Sequence, residues 1–242
     1  MYAMKIKLLS VLLAASVLVF TQCKKDDAGP DTPAVTKDYS PLTAGSTFTF
    51  RNIVSTSTVT DTANYTLTVG GADTVYNGRT YKRLTGSDTS VRFMAKVGTN
   101  YYQLATFAAL NTGVFENYYL NDSVPVNTTW PQTISFTYNI AGAPTNLTAT
   151  LNYKIAERGM SRTVNSIAYS NVIRVSFSGI AVTGAPIPVN ITATGDSYYA
   201  QGFGLIESTL SVPQQNIVVF GTPVGTIPQY NSKEILLSSN VK

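Results

Sequence analysis

The chain has 242 residues, 44% hydrophobic and only 12% charged, with no histidine, one cysteine and a formal charge of +4. That hydrophobic share supports a sizeable core and excludes disorder for most of the length. The missing histidine removes the commonest general base and metal ligand, a single cysteine permits neither an internal disulfide nor a thiolate cage, and so small a charge excludes a nucleic-acid footprint.

The first element is a leader. Lys5 and Lys7 precede an apolar run from Leu8 to Phe20, the charged and hydrophobic regions of an export signal. As a helix the run would span about 20 Å at 1.5 Å per residue, short of the roughly 30 Å hydrocarbon core, so cleavage is expected rather than membrane spanning. Two of the 17 basic residues and none of the 13 acids fall in this leader, which leaves +2 for the rest.

Next comes FTQCKKDD, residues 20–27. Cys23 behind the apolar run resembles the lipobox of bacterial lipoproteins, whose thiol takes a diacylglyceryl group and becomes the new N-terminus. Phe20 at −3 fits, Thr21 is tolerated, and Gln22 at −1 is larger than the usual Gly, Ala or Ser. The alternative is a cysteine that happens to follow an ordinary signal peptide, but no small-x-small cleavage site lies between Phe20 and Cys23. The resemblance implies a signal peptide over 1–22, lipid attachment at Cys23 and an outer-membrane location. Two or three acyl chains, at about 0.8 kcal/mol per buried methylene, anchor stably. Lys24, Lys25, Asp26 and Asp27 resemble the short charged signal that sends Bacteroidota lipoproteins to the cell surface, although any solvated tether also carries charge. The Pro-rich polar remainder of 23–38 reads as a flexible tether.

From Tyr39 onward short alternating runs of β-branched and aromatic residues dominate, which predicts strands. They fall at 46–51, 65–69, 74–76, 79–81, 90–97, 100–105, 114–120, 132–140, 147–155, 171–178, 189–194, 196–201, 204–211 and 233–237. Asn77-Gly78 in TVYNGRTY predicts a type I′ hairpin turn. YYQLATFAAL at 101–110 is the only candidate for a helix. Prolines 186, 188, 213, 223 and 228 mark loops or strand edges. NGRTYKRL (77–84) echoes NSIAYSNV (165–172), sharing Asn, Tyr81/Tyr169 and Leu84/Val172. The fold class is therefore all-β and antiparallel: a strongly curved half-barrel sheet or a two-sheet sandwich, with one domain over 39–242 and possible related halves 39–122 and 123–242.

YYAQGFGLIES (198–208), PLTAGSTFTF (41–50), TVYNGRTY and the closing KEILLSSNVK together resemble a group of uncharacterised Bacteroidota lipoproteins with a YYAKGVGLV signature. The resemblance covers most of 40–242. Phe48 stands where tryptophan is frequent in that group and Gln201 where lysine is. It implies a fold and a location, and no activity. Gly202 and Gly204, bracketing Phe203, read either as the wall of a ligand cleft or as a β-bulge that curls the sheet.

Chemistry is sparse. Asp61, Asp73, Asp88, Glu116, Asp122, Glu157, Asp196 and Glu207 are spread singly, as turn formers and solvated acids are, and only convergence of two in a cleft would suit glycoside hydrolysis. No calcium or phosphate loop is present, so no cofactor and no metal is expected. The adjacent pairs Tyr101-Tyr102, Tyr118-Tyr119 and Tyr198-Tyr199, with Trp130, are the candidate ligand-binding residues. Neighbours in a strand point to opposite faces, so one of each pair should enter the core and the other stay open. An open tyrosine can stack on a sugar or line an apolar pocket, or simply stiffen the sheet. The expected function is a non-catalytic, membrane-anchored lipoprotein, surface-exposed, that binds a glycan or an apolar molecule. The alternatives are a structural component of an envelope protein complex and a carboxylate-dependent glycoside hydrolase.

Overall fold

The computed structural model describes residues 38–106, 113–140, 143–184, 189–219 and 222–242. The leader, Cys23, Lys24, Lys25, Asp26, Asp27 and the tether up to 37 lie outside the described residues. Among those described there are fifteen strands and no helix: β1 (Thr47–Thr56), β2 (Thr60–Val69), β3 (Thr74–Tyr76), β4 (Arg79–Gly86), β5 (Val91–Val97), β6 (Asn100–Ala105), β7 (Phe115–Asn121), β8 (Thr129–Ile140), β9 (Ala143–Val164), β10 (Ile167–Thr183), β11 (Val189–Ala200), β12 (Gly204–Val212), β13 (Gln215–Val219), β14 (Thr222–Ile227) and β15 (Tyr230–Asn240). Residues 101–105 of the helix candidate belong to β6.

All but two of these strands make one antiparallel sheet, ordered β7-β6-β5-β4-β2-β1-β15-β12-β11-β10-β9-β8, with β3 beside β4. β13 and β14 form a separate hairpin. The domain is thus a single curved sheet and not a sandwich. Its path is two six-stranded meanders joined where β1 pairs β15, from Thr47↔Asn240 to Thr56↔Tyr230.

Alternation explains the first meander. Phe48 and Phe50 are buried and alternate with Thr47, Thr49 and Arg51, Leu67 and Tyr65 are buried opposite them, and Val69 is buried two residues further along β2. Asn77 (φ 47°) and Gly78 (φ 74°) make the tight turn that their types favour. Asn165 (φ 48°) and Ser166 (φ 64°) turn the β9–β10 hairpin in the same way without a glycine. Beyond both turns the echoed residues are core: Tyr81 and Tyr169, then Leu84 and Val172. β9 and β10 run well past the expected 147–155 and 171–178. Glu157, Arg158 and Arg162 interrupt the apolar alternation, and Glu157 meets Arg174 on neighbouring β10 while Arg162 meets Glu207 on β12.

Three apolar clusters fill the fold. One gathers Phe48, Phe50, Tyr65, Leu67, Val172, Ile206 and Leu236. A second gathers Tyr101, Tyr119, Leu120, Ile155, Ile173, Val175 and Tyr199. A third, smaller one holds Phe136, Leu147, Ala149 and Val182. The chain enters along the β11–β12 turn: the Gly202 N–H donates to Asp38 O (2.7 Å), Tyr39 N–H donates to the Tyr101 hydroxyl (3.3 Å), and Lys96 pairs with Asp38. Gly202 and Gly204 both sit at φ +81°, and a Cβ on Gly204 would lie 3.3 Å from Pro41 Cδ. These glycines therefore belong to a hairpin turn that seats the lead-in segment, and the register of that hairpin shifts just beyond them, between Tyr199↔Leu205 and Tyr198↔Glu207.

Side chains join the ends of the sheet. The Gln132 carboxamide accepts from Tyr118 N–H (3.1 Å) and donates to Glu116 O (3.0 Å). It supplies β7 with the donor and acceptor that a neighbouring strand would. Trp130 Nε1 donates to Tyr118 O (3.0 Å). Gln132→Ala is expected to cost about 1 kcal/mol and to raise amide exchange at Tyr118. An unchanged exchange rate there would show that Gln132 does not hold the seam.

Candidate binding face

The adjacent tyrosines divide as alternation requires in two of three cases. Tyr101 and Tyr119 are buried, with ring centroids 6.3 Å apart, while Tyr102 and Tyr118 are half-buried. The third pair departs from expectation. Tyr199 lies in the core, 5.4 Å from the Tyr119 ring, and Tyr198 on the opposite face is buried as well. Tyr198 joins the first apolar cluster and is covered by Arg162, whose guanidinium lies 3.5 Å from its ring centroid. Tyr101, Tyr119, Tyr198 and Tyr199 therefore line no open patch.

Tyr102, Tyr118 and Trp130 do come together, and the structure extends them. Ring centroids are 5.2 Å apart for Tyr102–Tyr118, 5.4 Å for Tyr118–Trp130, 5.7 Å for Trp130–Tyr153 and 5.7 Å for Tyr153–Phe177. All five rings are half-buried. The row crosses β6, β7, β8, β9 and β10, and at the seam by Trp130 it passes from the side of β6 and β7 turned away from Tyr101 and Tyr119 to the side of β9 and β10 that carries Ile155 and Val175. Arg79 closes one end, 3.6 Å from the Tyr102 centroid and paired with Glu116, which also accepts from the Tyr81 hydroxyl. Burial pushes the Tyr81 hydroxyl up to about 12, and Glu116 adds to the shift. Tyr153 and Phe177 were missed in the sequence because each stands alone between polar neighbours. Their partnership depends on the register Trp130↔Tyr153↔Phe177.

One titratable residue was also missed. Glu234 of β15 accepts hydrogen bonds from Tyr65 and from Arg92 (2.8 Å), and its side chain is 14% exposed. Burial pushes its carboxyl up to about 7, and burial likewise lowers Arg92. Sequence alone could not single it out, since KEILL reads as an ordinary strand.

The acids named in the sequence take other roles. Asp73 pairs with Lys82 (2.6 Å), Asp88 holds the Ser90 turn, and Asp122 accepts from the Tyr101 hydroxyl (2.6 Å). Asp61 stands exposed in β2. Glu157 and Asp196 do converge, both on Arg174 at 2.8 Å. Glu207 is held by Arg162 and by Lys233 (2.9 Å); burial raises its carboxyl, but these two cations outweigh burial and keep it below its ordinary value. Glu157, Arg174, Tyr198 and Glu207 oppose one another across β9 to β12. With Asp196, Arg162 and Lys233 they form an ion-pair network in which Glu157 and Asp196 share Arg174 and Glu207 takes Arg162 and Lys233. Among the described residues no three Cys, Asp or Glu side chains gather as a metal site.

No family model and no curated protein matches the chain. Similar solved structures include a candidate lipoprotein from Parabacteroides distasonis (11% identity, TM-score 0.49, covering 85% of this chain and 99% of that one). A candidate exported protein with a YmcC-like fold from Bacteroides fragilis is similar at 10% identity and TM-score 0.38, over 83% of this chain and 97% of its own. The hypothetical lipoprotein YmcC of Escherichia coli is similar at 10% identity and TM-score 0.33, over 79% and 84%.

Proposed function

We propose that the chain is a lipoprotein anchored through Cys23, displayed at the outer-membrane surface, and that its β domain binds a glycan or an apolar ligand without transforming it. The observation that carries the binding role is the half-buried row Tyr102, Tyr118, Trp130, Tyr153 and Phe177, ring against ring across five strands. Aromatic faces held in place by a rigid sheet lose little entropy on binding. The paired acids Glu157, Asp196 and Glu207 are committed to cations, which speaks for binding over hydrolysis.

A second reading, a structural component of an envelope complex, is favoured by one feature. Among the described residues β8 pairs only with β9, so its other edge beyond Gln132 is open to another strand. A stable partner in a gentle pull-down would support it.

The anchor and the binding face are tested separately. Cys23→Ser should abolish fatty-acid labelling and membrane association, and protease added to intact cells should remove the domain. Unchanged labelling would overturn the anchor, and full protection would overturn surface display. Phe177→Ala should weaken ligand capture at least about tenfold with the thermal melt still cooperative; undiminished capture would remove Phe177 from the binding face.

A further inference from the structure

Residues that oppose one another across an antiparallel sheet share a face, and so do residues two apart along a strand. The row Trp130, Tyr153, Phe177 continues over Gly195, Leu210 and Ser232. One step along the same face runs Val175, Ser197, Ser208, Glu234 and Asn52. One step further, on β15, β1 and β2, lie the core residues Leu236, Phe50 and Tyr65. From β11 to β1 a polar band thus lies between the level of the aromatic row and the core on the inner face, while Val175 at its β10 end belongs to the second apolar cluster.

Glu234 is the centre of this band, directly opposite Ser208 on one side and Asn52 on the other. Its carboxyl is met by Arg92, and Ser197 bonds to the Tyr199 hydroxyl. Asn52 and Ser208 are half-buried and make no side-chain hydrogen bond among the described residues. Neither belongs to the fully buried polar atoms without a partner, which among the described residues are Arg83 Nε and the Tyr119 hydroxyl, so both groups are hydrated and a ligand supplying complementary groups would replace that water.

We propose that Asn52 and Ser208 are the polar subsite of the binding face and that its ligand is a neutral oligosaccharide. This assignment rests on the reading of the aromatic row as a binding face and names the ligand class. A sugar ring offers an apolar C–H face to an aromatic side chain and a rim of hydroxyls that both donate and accept. Asn supplies two donors and an acceptor, and Ser one donor and an acceptor. An apolar ligand would strand both groups. An anionic ligand would need a free cation, and Arg92 is committed to Glu234. Phe177 on β10 and Ser208 on β12 stand two strands and two residues apart, about 12 Å at the usual strand spacing and rise, so the ligand must carry more than one ring.

The test uses the full lipidated protein in nanodiscs, with empty nanodiscs as blank. The probes are fluorescent neutral oligosaccharides of glucose, mannose, galactose and N-acetylglucosamine, with anilinonaphthalenesulfonate as the apolar arm. The expected result is saccharide binding that weakens about 3- to 10-fold in Asn52→Ala and in Ser208→Ala, with unchanged thermal melts. Saccharide binding that depends on Phe177 but not on Asn52 or Ser208 would overturn the polar subsite and leave the binding face standing. Binding of the apolar probe alone, lost in Phe177→Ala, would overturn the saccharide while keeping the face. Capture of no probe would overturn both.

Discussion

Tyr199→Ala is expected to lower the unfolding free energy by about 3–5 kcal/mol, the usual cost of emptying a large aromatic site in a core. Tyr199 is 8% exposed and packs with Tyr119 from the first meander and Ile155, Ile173 and Val175 from the second. The cavity would therefore open at the join between the two meanders, where neither can relax without the other. Tyr102→Ala removes a ring of the same kind from a half-buried position. It should cost only about 1 kcal/mol, mostly through the lost contact with the Arg79 guanidinium. Urea unfolding of the two variants checks the contrast. Equal midpoints would mean that the buried and open tyrosines do not divide the labour as proposed.

Stability is expected to fall by about 3 kcal/mol as the pH rises from the ordinary carboxylate value to about 7, on account of Glu234. The sign follows from proton binding. Burial raises this carboxyl from 4.5 to about 7 in the folded state. Through that window the folded chain holds a proton that the unfolded chain has released, so rising pH favours unfolding. Below the unfolded value the penalty is absent, and above about 7 it is complete. Glu234→Gln should flatten the pH dependence, because an amide does not titrate and Arg92 stays charged throughout. Equal slopes in the two proteins, or a parent that gains stability as pH rises, would remove Glu234 as the source.

Residues responded to sequence reading according to how local their causes are. The turn at Asn77-Gly78 was legible because a two-residue hairpin needs positive φ and those types supply it. The turn at Asn165-Ser166 has the same geometry, but Ser carries no such signal on its own. Burial of Phe48, Phe50 and Leu67 followed from strict alternation. Strand continuation through Glu157 and Arg162 did not, because these charges are tolerable only beside Arg174 and Glu207 on other strands. The candidate site shows the same division. Tyr102, Tyr118 and Trp130 could be named from the chain, whereas Tyr153, Phe177, Asn52 and Glu234 acquire meaning only through their registers.

The amino-acid sequence by itself determined the all-β class, the alternating core positions and the absence of histidine chemistry, since these depend on residue type and on a period of two. Tertiary structure alone decided that one sheet bends until Gln132 and Trp130 reach β7, that Arg162 shuts Tyr198 away, and that Glu234 lies between two unpartnered polar groups on the inner face. Each of these joins residues from different strands, and the pairing register that brings them together belongs to the assembled sheet rather than to any one segment.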